Sequence, residues 1–407
     1  MTSFCSAALR ATVYAFTAFT TAATFAVAQA GTARPDLPKP YHAAARQVRA
    51  TTYKIGPTRA FKSLNAVLPN LRPGDVVEVD PGVYRETARL TRSGTRDAPI
   101  TIRGVGTERA LFDAQGLDTS GRGPVPRAAF QIEGAYLILE HLEFKNARNG
   151  ENAAGLRLLG STNAVIRDCK ISQCDMGIFG DDRETVLIED SEVCFNGTPS
   201  FNGYSHNLYM HGNRVVVRGC YIHDSSYGQN YKSRAHYNEL WFNWITDSNE
   251  GEVGCVDSKG TTDRPNSNTL LVGNVVISRR DRSGNTAKFV LFGTESGAGH
   301  NGTLFLFRNT FIAGDSKIAF VTLSDPQARA VISDNVFVGS EQMLSLPQPP
   351  ASVSAHHNLL PKGVPLPKGW ADRPAGTLQY LDGEGRPHTL PLNHYGAPSH
   401  PAPPFSR

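Results

Sequence analysis

The sequence predicts an all-β chain: a right-handed parallel β-helix solenoid with an N-terminal helical cap and a Pro-rich C-terminal tail. A recurring unit carries that expectation, a small or amide residue followed two positions on by an apolar one. It reads Leu142-Glu143-Phe144, Cys169-Lys170-Ile171, Ser191-Glu192-Val193, Cys220-Tyr221-Ile222 and Asn243-Trp244-Ile245, then Asn274-Val275-Val276, Asn309-Thr310-Phe311, Asn335-Val336-Phe337 and Asn358-Leu359-Leu360. The units lie 22 to 35 residues apart, the period of a solenoid coil with occasional loop insertions. Each follows a β-prone run such as Ala164-Val165-Ile166, Val215-Val216-Val217 or Leu270-Leu271-Val272. Alternation within such runs sends one set of side chains inward and the next outward. The recurring asparagines are then expected to stack coil on coil, their amides satisfying one another and the turn backbone. Leucine-rich repeats want a denser Leu framework, and propeller blades are longer and carry hairpin turns.

Residues 1–30 read as a secretory signal peptide. Arg10 gives a positive start, Val13 to Val27 is an apolar Ala/Thr-rich run, and Ala28-Gln29-Ala30 suits a cleavage site. The run is too short and too diluted by Thr to span a bilayer. The mature protein is expected to be secreted or periplasmic, with no membrane insertion after signal cleavage. Residues 31–57, with Pro35, Pro38 and Pro40, read as a linker. The β-helix is expected over 58–345. It opens with Phe61 to Leu71, whose apolar spacing suits a helix covering the first coil. Turns at Pro73-Gly74-Asp75 and Asp80-Pro81-Gly82 then bracket Val76 to Val79. Residues 346–407 are Pro-rich, and proline cannot donate to a ladder, so the solenoid is expected to stop there.

The charge balance, 41 Lys+Arg against 37 Asp+Glu, does not mark a nucleic-acid binder, yet it does not repel an acidic polymer. Five cysteines remain beyond Cys5, an odd number; Cys174 with Cys194 is a candidate bridge, and no CxxC pattern occurs.

Three consecutive coils concentrate ionisable residues: His206 to His211, Asn230 to His236, and Gly254 to Lys259. Counting back from Cys220 and Asn243 sets Leu208 level with Tyr231. Leu208 and Met210 then point inward, while Tyr209, His211, Lys232 and Arg234 point outward. Placing Val256 inward puts Asp257 and Lys259 on the outer face, with Glu295 at the turn of the following coil. Strands about 4.8 Å apart let these groups act on one sugar residue or two neighbours. Elimination across a uronate glycosidic bond needs cations or donors on the carboxylate, a base for the α-proton and an acid for the leaving oxygen. Lys232 beside Arg234 suits the base, because a neighbouring cation favours a lysine's neutral form. Arg234 suits a bidentate grip on the carboxylate, and His206 or Tyr209 the acid or a second base. His211, Lys259 and Tyr231 are candidate substrate contacts. Asp257 and Glu295, with Glu252, are candidate oxygen ligands for calcium; no organic cofactor is expected. Each of these groups also has an ordinary reading: a solvated lysine, a turn-capping histidine, a surface ion pair.

The stretch PGDVVEVDPGVYRE from Pro73, followed by APITIRG from Ala98, resembles the opening coils of pectate-lyase-like and chondroitinase B-like β-helix proteins. The resemblance covers roughly residues 60 to 345. Among these proteins the chain is most similar to the alginate lyase and chondroitinase B group of polysaccharide lyases, whose catalytic lysine lies in a Lys-Ser segment followed by an Asn-containing strand. Lys232-Ser233 ahead of Asn238 and Asn243 matches that segment, and the resemblance implies that Lys232 is the base. That group carries Arg-His-Gly on the next coil. Here Ser258-Lys259-Gly260 stands instead, so Arg234 or Lys259 would replace the arginine.

The expected protein is therefore a monomeric, exported polysaccharide lyase acting on an acidic, uronate-containing polysaccharide by β-elimination. A uronate epimerase shares the proton abstraction. A non-catalytic carbohydrate-binding or adhesion solenoid would use outward aromatics at Tyr209, Tyr227, Trp241 and Trp244. A glycoside hydrolase would use Asp181-Asp182, although the companion Asn-Thr-Asp and Gly-His-Gly segments are absent.

Overall fold

The computed structural model describes residues 50–160, 163–278, 288–314, 318–347, 352–358 and 360, and the backbone of 377–381 and 387–391. The signal peptide and most of the linker lie outside the described residues. Each coil of the solenoid carries three short strands, one per face. One coil, for instance, consists of Gln229–Ser233, Tyr237–Trp241 and Trp244–Thr246. Each strand pairs in parallel with its counterpart on the next coil. The first two faces merge into one 20-stranded sheet and the third forms a 10-stranded sheet. The merger occurs because Met176–Glu189 and Leu208–Arg218 run through the corner between faces. The protein is a right-handed parallel β-helix, as the repeat predicts.

The repeat unit marks the corner between the second and third faces. The residue ahead of the ladder position takes a left-handed conformation at Asp168, Asp190, Gly219, Phe242, Gly273, Arg308, Asp334 and His357. That turn exposes the backbone N–H of the ladder residue, and the amide one coil on satisfies it. Asn243 Nδ2 donates to Asn274 Oδ1 at 2.9 Å, and Asn243 N donates to the same oxygen at 2.9 Å. The pattern continues through Asn309, Asn335 and Asn358. The ladder amides are thus paired with one another along the axis. Beside the ladder, inward residues pack in columns such as Tyr84–Phe112–Phe144 and Phe311–Phe337.

Four expectations are corrected. No α-helical cap forms over Phe61 to Leu71; a 3-10 turn at Leu68–Asn70 buries Leu64, Val67, Leu68 and Leu71 instead. Eleven residues containing a proline at the turn give the apolar spacing without a helix's hydrogen-bond ladder. The linker ends early, since Thr52–Ile55 already pairs with Val76–Val79. The solenoid also runs past 345: Ser352–His356 pairs with Arg329–Ser333, and Asn358 closes the ladder. Finally, all five described cysteines are free and buried. The Cys174 thiol faces Ser172 O and that of Cys194 faces Glu192, so no bridge joins them.

Candidate functional site

The register counted from the ladder holds. Leu208 pairs with Tyr231, Tyr209 with Lys232, and Lys232 with Gly254. Tyr209 and Lys232 therefore belong to one outward file on the first face. Followed backward, that file reads Phe179, Arg157, Gln131 and Arg89. Neighbours in it are one strand spacing apart, about 4.8 Å.

At the centre, Lys232 Nζ donates to Glu295 Oε1 and Oε2 at 2.9 and 2.8 Å. Arg234 uses all three of its nitrogens. Nε donates to Tyr209 Oη at 3.0 Å, Nη2 to Glu295 Oε2 at 3.0 Å, and Nη1 to the Asp257 carbonyl oxygen. The site thus holds two cations converging on one carboxylate, with a phenol oxygen beside them. In this arrangement Lys232 binds a carboxylate through both of that group's oxygens.

His206 is buried, and burial holds its pKa well below the ordinary histidine range, reinforced by the charges of Lys232 and Arg234. Its Nδ1 accepts the Gln229 N–H at 3.0 Å, which leaves the ring proton on Nε2. The ring stands 5.2 Å from that of Tyr209, and the His211 ring lies 4.6 Å from that of Tyr209. His206 is therefore a neutral donor in this state.

Two assigned roles do not fit the geometry. Tyr231 is wholly buried, its hydroxyl bonded to Asn238 Oδ1 at 2.7 Å, so it faces the interior and meets no substrate. It lies one residue from Lys232 and alternation turns it inward. Asp257 and Glu295 do not form a calcium cage either. The Asp257 carboxylate accepts N–H groups from Glu295, Ser296 and Ala298 at 2.6, 2.9 and 2.6 Å, and the Thr294 hydroxyl at 2.8 Å. These donors outweigh its burial and hold its pKa far below the usual carboxylate range. Its lone pairs are taken, and those of Glu295 face two cations, so neither offers oxygens to a hard dication. Asp257 instead anchors the loop that delivers Glu295. Cys255, not Val256, packs into the core here, so the inward frame predicted for this coil is shifted by one residue. Lys259 is exposed on the turn beyond Asp257.

Glu252 is fully buried in a second polar ladder that the sequence reading missed. Asn196 Nδ2 donates to Asn207 Oδ1 at 2.9 Å, Asn207 Nδ2 to Asn230 Oδ1 at 2.7 Å, and Asn230 Nδ2 to Glu252 Oε2 at 2.7 Å. Burial pushes the Glu252 pKa up to about 8. Glu250 was also missed. Burial raises its pKa to about 6, with Lys232 opposing the shift and Glu295 adding to it, which sets it at the rim of the same cluster. Gly203 makes room for it, since a Cβ there would lie 2.0 Å from Glu250 Oε1.

Of the outward aromatics, Tyr209 and Trp244 are partly exposed and Tyr227 exposed. Trp241 is buried, its indole N–H donating to Glu239 at 3.0 Å. The side chains of Asp181 and Asp182, the hydrolase candidates, lie outside the described residues.

Fold and register make the chain a parallel β-helix. Similar solved structures include a rhamnogalacturonan lyase, at 15% identity and a TM-score of 0.55, covering 74% of this chain and 86% of that one. An alginate lyase from Paenibacillus sp. str. FPU-7 is 16% identical, with a TM-score of 0.52, covering 76% of this chain and 99% of that one. At such identities the likeness shows the fold alone. No protein-family model matches the sequence, and comparison with curated proteins finds no match.

Proposed function

We propose that this protein is an exported polysaccharide lyase that cleaves a uronate-containing polysaccharide by β-elimination on the outer face of the first sheet. The observation that carries the reading is the Glu295 carboxylate held between Lys232 and Arg234. A uronate carboxylate has the same charge and shape, and in displacing Glu295 it gains two cationic donors. That neutralisation makes the proton α to the carboxylate removable and stabilises the developing enediolate. Tyr209, acting in its phenolate form with Arg234 Nε donating to its oxygen, takes the α-proton and passes it to the departing glycosidic oxygen, so the phenolate is regenerated. His206 supplies a neutral hydrogen bond from Nε2, and Arg234 positions Tyr209. The rhamnogalacturonan and alginate lyases of the same fold fit this reading.

The deciding experiment incubates the mature chain with polygalacturonate, alginate and glycosaminoglycans and follows ultraviolet absorbance from unsaturated ends. Lys232→Ala should abolish the signal, as a loss of roughly 10²–10³ in rate is typical when one such donor is removed. Saturated ends on shortened chains would mean hydrolysis. Binding with no change in chain length would make the protein a non-catalytic solenoid.

A further inference from the structure

Three strands back along the file from Lys232 stands a second cation with unusual surroundings. Arg157 is 6% exposed. Its Nε donates to the Arg127 carbonyl at 3.1 Å and its Nη2 to the Asn152 carbonyl at 2.6 Å. Nη1 has no hydrogen-bond partner among the described residues, and no described carboxylate pairs with the guanidinium. Its charged neighbour is another cation, Arg127, and burial with that repulsion brings the Arg157 pKa down to about 10. A buried charge is costly unless an opposite charge completes it, and among the described residues none does. The face of the guanidinium lies over the Phe179 ring, 4.2 Å from its centroid.

Arg157 and Arg127 line a pocket of about 320 Å³ that also includes Arg89, Gln131 and Glu133. Glu133 is already engaged by Arg89, at 2.8 and 3.0 Å, and by Gln131 at 2.6 Å. Its negative charge is therefore spent; Arg127 makes only a long, exposed ion pair to Glu151 at 3.9 Å, and the pocket keeps the positive charge of Arg157. Between this pocket and Lys232 the file offers two aromatic rings, Phe179 and Tyr209, with centroids 5.6 Å apart. The order along the axis is cation, aromatic, aromatic, cation. The two cations are three strand spacings apart, about 14 Å, which is longer than a single pyranose.

We infer that the Arg127–Arg157 pocket is a second carboxylate subsite, which takes a distal uronate of an oligosaccharide laid along the solenoid axis across Phe179 and Tyr209. The inference rests on the proposed reading of the Lys232 site, since that site holds the other end of the same chain. Aromatic rings suit the apolar faces of pyranoses, and guanidinium groups suit carboxylates. The ligand is an oligouronate of several units, and a monosaccharide reaches only one of the two charged ends.

The test is calorimetric titration of the mature protein with galacturonate and mannuronate oligomers of one to six units, with a neutral maltohexaose control. Affinity should step up at the length that reaches both ends. Arg157→Gln and, separately, Arg127→Gln should remove that step, weakening the long oligomers at least roughly tenfold so that affinity no longer rises with length. Thermal melting identifies any variant that fails to fold, and Arg127, the more exposed of the two, is the safer substitution. Long oligomers that bind both variants as tightly as the parent, or maltohexaose that binds equally well, would overturn the subsite. Should the step appear and vanish as stated without any unsaturated product, the subsite stands and the elimination reading falls. Elimination that depends on Lys232 but is blind to Arg127 and Arg157 gives the converse.

Discussion

The ammonium of Lys232 donates to both carboxylate oxygens of Glu295, at 2.9 and 2.8 Å, over a coil that carries only Gly254 at the intervening position. The Lys232 side chain is 9% exposed and that of Glu295 is 31% exposed. The pair is asymmetric: the cation is fixed in the wall and the anion sits on a loop. Glu295→Ala should therefore leave a nearly buried ammonium without its partner and lower stability by about 1–3 kcal/mol. The same change frees both cations, so galacturonate oligomers should bind several-fold more tightly and restore part of the lost melting temperature. Calorimetry and thermal melts with and without ligand read both effects. Weaker oligomer binding in the variant would show that Glu295 helps to hold the ligand.

Tyr209→Phe keeps the ring between His206 and His211 and removes only the oxygen that faces Arg234. Elimination should fall by roughly 10²–10⁴, with oligomer affinity nearly unchanged. Single-turnover kinetics beside direct titration separates the two. A variant with full activity would move the proton transfer to another group.

Glu250 titrates at about 6 at the edge of the cluster, because burial raises its pKa. Below that pH it is neutral, and above it a second carboxylate opposes an anionic ligand. Affinity for oligouronates should therefore rise as pH falls from 7 to 5. Glu250→Gln should flatten this profile and raise affinity at pH 7. A slope that survives in the variant would assign the titration elsewhere.

Glu252 carries its proton up to about pH 8 in the folded chain, whereas an unfolded glutamate loses it near 4.3. Between these values the folded state binds more protons than the unfolded one, so stability falls as pH rises through the window. The change amounts to a few kcal/mol, on the order of 1.4 per pH unit. Chemical denaturation from pH 4.5 to 8 should show the decline in the parent and a flatter curve in Glu252→Gln. A parent curve without that slope would mean that Glu252 is ionised in its ladder.

Much of this was legible in the sequence, and the limits have a physical cause. A strand alternates with period two, and the Asn ladder fixes where each strand begins. Counting from Cys220 and Asn243 was thus enough to set Tyr209 beside Lys232. That count also sets Tyr231 level with the inward Leu208, so giving Tyr231 a substrate contact went against the register. At Asp257 the reading failed because Val256 was placed inward, and because a side chain just past a strand end follows its loop: this one turns back to cap Glu295, Ser296 and Ala298. The Asn207–Asn230–Glu252 ladder went unseen for lack of a constant motif: its members are two amides and an acid in differing sequence contexts. Arg157 gave no signal at all, because its interest lies in having no carboxylate partner among the described residues, and only coordinates reveal that.

Every coil rests only on the coils before and after it. The distance from Arg157 to Lys232 is therefore quantised, growing or shrinking in steps of about 4.8 Å as whole coils are inserted or deleted between them. Duplicating the coil that bears Phe179 would lengthen the groove by one step while leaving the hydrogen bonds at either end untouched. Ligand length is in this sense set by an integer.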